Sequence, residues 1–174
     1  MRCSTGLIMV NTGNGKGKTT AALGLLLRAW GHNMKVTMMQ FVKSSTADYG
    51  EHRAARRIGI EIVTRGAGFT RRGKNAKANK RLAIELWDMA KDKINSGAYQ
   101  MVILDEFTYP LRYGWLSVEE VIDVLRHRPE EVHVVITGRD APQELIDFAD
   151  VATESKEVKH HLRKGIKAQA GVEF

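Results

Sequence analysis

Residues 7–27 read Leu7-Ile8-Met9-Val10-Asn11-Thr12-Gly13-Asn14-Gly15-Lys16-Gly17-Lys18-Thr19-Thr20-Ala21-Ala22-Leu23-Gly24-Leu25-Leu26-Leu27. An apolar run ends in a loop of alternating glycines, with lysines at 16 and 18, and a good helix former follows at once. The pattern is strand, loop, helix. Gly13, Gly15 and Gly17 let backbone N–H groups turn toward anionic oxygens without Cβ clashes. The helix expected from Lys18 adds unpaired amides and the positive end of its dipole. Lys18 brings a mobile positive charge, and the hydroxyl of Thr19 or Thr20 suits a Mg²⁺ ion. The whole stretch Gly13-Asn14-Gly15-Lys16-Gly17-Lys18-Thr19-Thr20 is therefore a candidate phosphate cradle. It departs from the usual spacing: counted back from Gly17, the first glycine should fall on Thr12, so a loop that starts at Gly13 is one residue short. A glycine-rich turn that binds nothing would not need the strand, the Gly-Lys-Thr-Thr and the helix together.

Outward from this stretch, short apolar runs alternate with helical patterns. Strands are expected at Leu7–Thr12, Lys35–Val42, Ile60–Thr64, Gln100–Leu104 and His133–Thr137, with a sixth strand or extended segment at Val151–Val158. Helices are expected at Lys18–Trp30, Tyr49–Arg57, about Asn75 to Asn95, after the capping box of Ser117 and Glu120, and from Pro142 to about Phe148. Ala83, Leu86, Trp87, Ala90 and Ile94 keep helical spacing, as do Val118, Val121, Ile122 and Leu125. Alternating strands and helices predict an α/β fold of three layers around a mainly parallel six-stranded sheet. The 174 residues suit a single domain, 1–174.

Ligands in such sheets sit beyond the carboxyl ends of the strands. Thr12-Gly13, Gly66–Phe69, Asp105-Glu106 and Gly138-Arg139 all fall there. Asp105 and Glu106 end a wholly apolar strand, where a phosphate-loop protein keeps the carboxylates that hold a metal or water. Arg139 offers a guanidinium fork to distal phosphates. His160 and His161 lie in a basic segment without an evident third ligand, which reads as solvated surface.

Composition narrows the partners. Net charge is +7, which favours anionic ligands. Six of the positive charges lie between Arg71 and Arg81 with no acid among them, either a solvated face or a docking face for an acidic partner. No aromatic residue interleaves that run, which speaks against single-stranded nucleic acid. Cys3 is the only cysteine, so an internal disulfide and a Cys-rich metal site are excluded. No apolar run approaches the ~20 residues of a membrane span, and no secretory or transit segment is evident, so a cytoplasmic location is expected. Asn79-Lys80-Arg81-Leu82 lacks the Asp of a GTPase base-recognition motif, and no nucleophile elbow is present.

Beyond the loop, the chain resembles the ATP:corrinoid (cob(I)alamin) adenosyltransferases. The resemblance rests on Thr12–Thr20, Gln40-Phe41-Val42-Lys43, Gly68-Phe69-Thr70, Val102–Tyr109, Val135–Arg139, Val158-Lys159-His160 and Gly165–Phe174. It implies a P-loop NTPase fold of the RecA-like type. It implies transfer of the 5′-deoxyadenosyl group of ATP to the Co(I) of cobalamin or a corrinoid precursor, with triphosphate released. The short loop is associated in this family with ATP lying in the reverse direction, its 5′ carbon presented for attack. Mg²⁺ or Mn²⁺, a homodimer and a flavoprotein electron donor are implied as well. Catalysis is expected from Lys18, Thr19 and Glu106, ATP binding from Gly13 to Thr20 and Arg139, and metal binding from Thr19, Asp105 and Glu106. Phe69 is expected to press under the corrin, with Arg71 where some members carry a second aromatic. Some members also carry an N-terminal helix over the corrinoid. Six residues precede the first strand here, so closure is expected from elsewhere, or to be poorer. The competing readings are a P-loop ATPase or small-molecule kinase acting at the γ-phosphate, and a nucleic-acid-stimulated ATPase.

Overall fold

The structure is a computed structural model and describes residues 5–44, 49–66, 68 and 76–173. The strands are β1 (Ile8–Thr12), β2 (Val36–Phe41), β3 (Glu61–Arg65), β4 (Met101–Asp105), β5 (His133–Thr137) and β6 (Val151–Glu154). The helices are α1 (Lys18–Gly31), α2 (Gly50–Ile58), α3 (Ala76–Asn95), α4 (Thr108–Arg112), α5 (Val118–Arg126) and α6 (Gln143–Phe148), with a 3₁₀ turn at His161–Lys164. The strands form one sheet in the order β3-β2-β4-β5-β1-β6, and every neighbouring pair is parallel.

The period of two along each strand divides the core. Val36, Met38, Met101, Ile103 and Val135 face Ala22, Leu26 and Ala29 of α1 and Ala55 of α2. Met39, Phe41, Val102, Leu104, Val134 and Ile136 face the other way. They pack on Ala83, Leu86, Trp87, Ala90 and Ile94 of α3, on Val121 and Leu125 of α5, and on Leu145 of α6. The five positions of α3 picked by spacing are all buried. This is an α/β fold with helices on both sides of a parallel sheet, a P-loop NTPase-like arrangement.

Four local differences from the sequence reading have physical causes. Strand β3 starts at Glu61, because Gly59 (φ 73) closes α2 and the Ile60 amide caps it by donating to Ala55 O at 2.9 Å. Strand β6 stops at Glu154, because the next residues bend over the glycine loop: Ser155 O takes Gly15 N–H at 2.6 Å. The sequence reading places no helix at α4; Pro110 sits in its first turn, where no N–H is required. The capping box forms by half. Ser117 Oγ accepts from Glu120 N–H at 3.2 Å, but the Glu120 carboxylate turns to Lys91, 3.6 Å away. Among the described residues no helix is long and apolar enough to cross a membrane.

Candidate active site

The carboxyl ends of β1, β2, β4 and β5 open into a cavity of about 860 Å³. One wall is the loop from Gly15 to Thr20; Glu106 and Arg139 lie opposite, and Lys43, Glu51, Ala54 and Ile58 extend it along α2. The structure thus brings most of the nucleotide candidates to one place. Gly13 and Asn14 lie at the loop's outer side, and Asn14 borders a second, polar cavity that shares Arg139.

The loop glycines are needed for different reasons. A Cβ on Gly13 would stand 2.6 Å from Ser155 O, and one on Gly15 would stand 2.7 Å from Lys156 O, so no side chain fits beneath the segment that follows β6. Gly17 has φ 103 and open space, and its left-handed turn starts α1. No side chain caps that start and no acid lies in its first turn, which leaves the helix amides for an anion. One expected donor is not free: Gly15 N–H is committed to Ser155 O at 2.6 Å.

Lys18 is buried and its ammonium donates to Gly15 O at 2.5 Å. Burial holds its pKa below the ordinary lysine value, although the Glu106 carboxylate pulls the other way. Lys16 pairs instead with Glu173, whose other oxygen lies 3.1 Å from His161 Nε2. Together with His160, the tail residues Gly171–Glu173 therefore border the cavity, and the basic segment is not simply solvated.

Asp105 and Glu106 are adjacent but differ completely. Asp105 is fully buried, and its oxygens are claimed by four donors. Oδ1 accepts from the hydroxyls of Thr19 (2.8 Å) and Thr137 (2.7 Å). Oδ2 accepts from Gln40 Nε2 (3.3 Å) and lies 3.0 Å from Lys43 Nζ. Because Thr19 donates its hydrogen to Asp105, its lone pairs are left for another partner. Glu106 turns off the strand at φ 58, a left-handed angle that costs a non-glycine residue about 1 kcal/mol or more. That turn sends Phe107 into the core, 4.9 Å from Phe41 and 5.0 Å from Trp87 between ring centres. It leaves Glu106 at the cavity with Oε2 buried and, among the described residues, without a hydrogen-bond partner. Burial, and then the charge of Asp105, push its pKa up to about 7.

A carboxylate oxygen unpartnered among the described residues, in the same cavity lining as a threonine with free lone pairs, fits a hard divalent cation. Among the described residues no group of three or more His, Cys, Asp or Glu forms a metal centre, so phosphate oxygens and water would complete such a shell. Gly138 (φ 144) lets the chain pass Thr108, whose hydroxyl donates to Arg139 O at 2.7 Å; a Cβ there would fall 2.0 Å from that hydroxyl oxygen. Phe69 and Arg71 lie outside the described residues. The sequence alone assigns no role to Lys43 or Glu51. The available signal was a lysine just past the end of a strand at the ligand-binding edge.

Fold and site together define a nucleotide-binding α/β protein with a glycine-rich phosphate loop and a carboxylate-bearing β4. The model of one family, ATP:corrinoid adenosyltransferase BtuR/CobO/CobP, matches residues 4–174, and the chain belongs to that family. A corrinoid adenosyltransferase of Escherichia coli (strain K12) is 40% identical over 97% of this chain and 86% of that protein. One from a Sinorhizobium species is 41% identical over 97% of this chain and 80% of its own length. One from Pseudomonas aeruginosa is 39% identical over 99% of this chain and 86% of its own.

Proposed function

We propose that this chain transfers the 5′-deoxyadenosyl group of ATP to the Co(I) centre of a corrinoid and releases triphosphate. The observation that carries the reading is the cavity itself: a short glycine loop, buried Lys18 and an unpartnered Glu106 oxygen face one space, in a chain of this family.

Co(I) is the nucleophile and attacks C5′. The Co–C bond forms, the C5′–O5′ bond breaks, and its electron pair leaves with the triphosphate. Cobalt goes formally from Co(I) to Co(III). No proton leaves the nucleophile, so no general base is required. The protein's first task is to offset the charge that grows on the departing oxygens. Lys18, the free amides at the start of α1 and Arg139 are the groups for it. Its second task is to hold cobalt, C5′ and O5′ nearly in line, which removes orientational entropy from the barrier. A cation held by Thr19 and Glu106 would, when bound, add Lewis-acid stabilisation of phosphate oxygens. In this reading Asp105 orients Thr19 rather than binding the cation. The proposal extends, on the family resemblance, to Mg²⁺ or Mn²⁺ as the cation, a homodimer, a flavoprotein electron donor and a cytoplasmic location.

Protein, Mg·ATP and chemically reduced corrinoid are mixed and the products identified. Triphosphate and a light-sensitive cobalt–carbon absorption spectrum are expected. ADP with an unchanged corrinoid would assign the chain to γ-phosphate chemistry instead.

Phe69 belongs to the corrinoid half of the proposal. An axial ligand below the ring raises the cobalt orbital that reduction must fill, and an apolar ring in that place excludes the ligand. Arg71 stays hydrated and charged, so Phe69 carries most of that exclusion. Phe69→Ala is expected to lose transfer when a flavoprotein must reduce Co(II), and to keep much of it when Co(I) is supplied ready-made. Equal loss in both assays, with a damaged circular dichroism spectrum, would mean that Phe69 is a packing residue.

A further inference from the structure

Lys43 stands apart from the phosphate loop, yet its ammonium reaches the centre of the site. It lies 3.0 Å from Asp105 Oδ2 and 3.2 Å from Glu51 Oε1. Asp105 is wholly buried, and Lys43 is the cation that the described residues place at ion-pair distance from it. The backbone goes to some length to bring it there. Val42, a β-branched residue, has φ 66, and Lys43 N–H closes back on Phe41 O at 2.7 Å. This is a three-residue γ-turn of the strained hand. The turn is backed by Gly66, where a Cβ would come within 2.5 Å of Lys43 O and Val42 C. Strained backbone of this kind persists where its surroundings over-determine it, and it clusters at functional sites.

A second arm fixes the same carboxylate. Gln40 Oε1 takes hydrogen bonds from Thr64 Oγ1 (3.1 Å) and His52 Nε2 (2.6 Å). The amide must therefore present its NH₂ to the acceptors Asp105 (3.3 Å) and Glu51 (3.4 Å). Glu51 and His52 both belong to α2, whose inner face borders the cavity.

We propose that Lys43 is a positioning residue of the reaction: it holds Asp105 so that Asp105 takes the hydroxyl hydrogen of Thr19 and leaves Thr19's lone pairs facing the cation. Glu51 ties that setting to α2, the far wall of the cavity. Without the ammonium, the buried carboxylate has no countercharge at ion-pair distance among the described residues, and its oxygens re-pair. Thr19 then loses its fixed acceptor, while the loop amides and Lys18, which hold the phosphates directly, keep their places. Lys43 thus acts on the cation and not on the nucleotide as such.

The inference rests on reading the cavity as a Mg·ATP site, and ATP binding by the unaltered protein without metal tests that reading separately. Calorimetric titrations with ATP, with and without Mg²⁺, are compared for the parent, Lys43→Met, Asp105→Asn and the double variant. Lys43→Met is expected to bind metal-free ATP within about twofold of the parent. The gain in affinity from Mg²⁺ should fall by about ten- to a hundredfold, the usual effect of disturbing an outer-shell partner. In the transfer assay the KM for ATP at fixed Mg²⁺ should rise accordingly, and more Mg²⁺ should be required at saturating ATP. On the Asp105→Asn background the same substitution should add little, because it acts through Asp105. The double variant also removes both members of the buried pair, so it reports even if the single variant folds poorly. Weakened metal-free binding by Lys43→Met would put Lys43 on the phosphates themselves, and effects that multiply in the double variant would make the two residues independent; either result overturns the proposal.

Discussion

Lys18→Ala is expected to cut turnover by about a hundred- to a thousandfold, the range for losing one preorganised transition-state contact of about 2.7–4 kcal/mol. The residue is buried at the start of α1, and its ammonium rests on Gly15 O at 2.5 Å, a partner inside the loop itself. Burial already depresses its pKa, so the folded protein gains little from keeping this charge. The variant should therefore melt within a few degrees of the parent. Thr19→Ala should lose comparable activity but also some stability, since it removes one of the donors to the buried Asp105. Steady-state kinetics and a thermal melt measure both. Activity within a factor of two of the parent would take Lys18 out of the site.

The fold was legible because its signals were local and repeated. Val134–Ile136 and Met101–Leu104 are wholly apolar, the pattern of strands covered on both faces, and all of these residues are buried between the two helical layers. The spacing of Ala83, Leu86, Trp87, Ala90 and Ile94 told which face of α3 turns inward. The site was legible as far as residue type and strand end could take it. What stayed hidden depended on backbone angles and on distant segments. Asp105 and Glu106 look equivalent in sequence. The left-handed turn at Glu106 separates them into a carboxylate held by four donors and one with an oxygen unpaired among the described residues. Lys43 reaches Asp105 only because Val42 takes φ 66, a conformation that no propensity would assign to valine. The pairing of Lys16 with Glu173 joins residues 157 positions apart, and no local pattern encodes it.

Glu106→Gln should make the metal-free protein more stable at neutral pH while making the enzyme worse. The folded pKa of Glu106 is raised from 4.5 to about 7, first by burial and then by Asp105. A raised pKa means that its contribution to stability is fully present below the unfolded value of 4.5 and is lost as pH rises through about 7. Above that, the native state carries a buried charge that the unfolded chain would hydrate. The shift, at 1.36 kcal/mol per unit, corresponds to about 3 kcal/mol. Glutamine cannot ionise, so the advantage of the variant should widen by about 2 kcal/mol between pH 5 and pH 8 in urea denaturation. Its Mg²⁺ requirement should rise about tenfold or more at saturating ATP, because a neutral amide is a poorer ligand for a hard cation. The two effects have one cause. Among the described residues Glu106 Oε2 has no hydrogen-bond partner, so a cation is what would make its charge favourable. An advantage independent of pH, with an unchanged Mg²⁺ requirement, would remove Glu106 from the cation site.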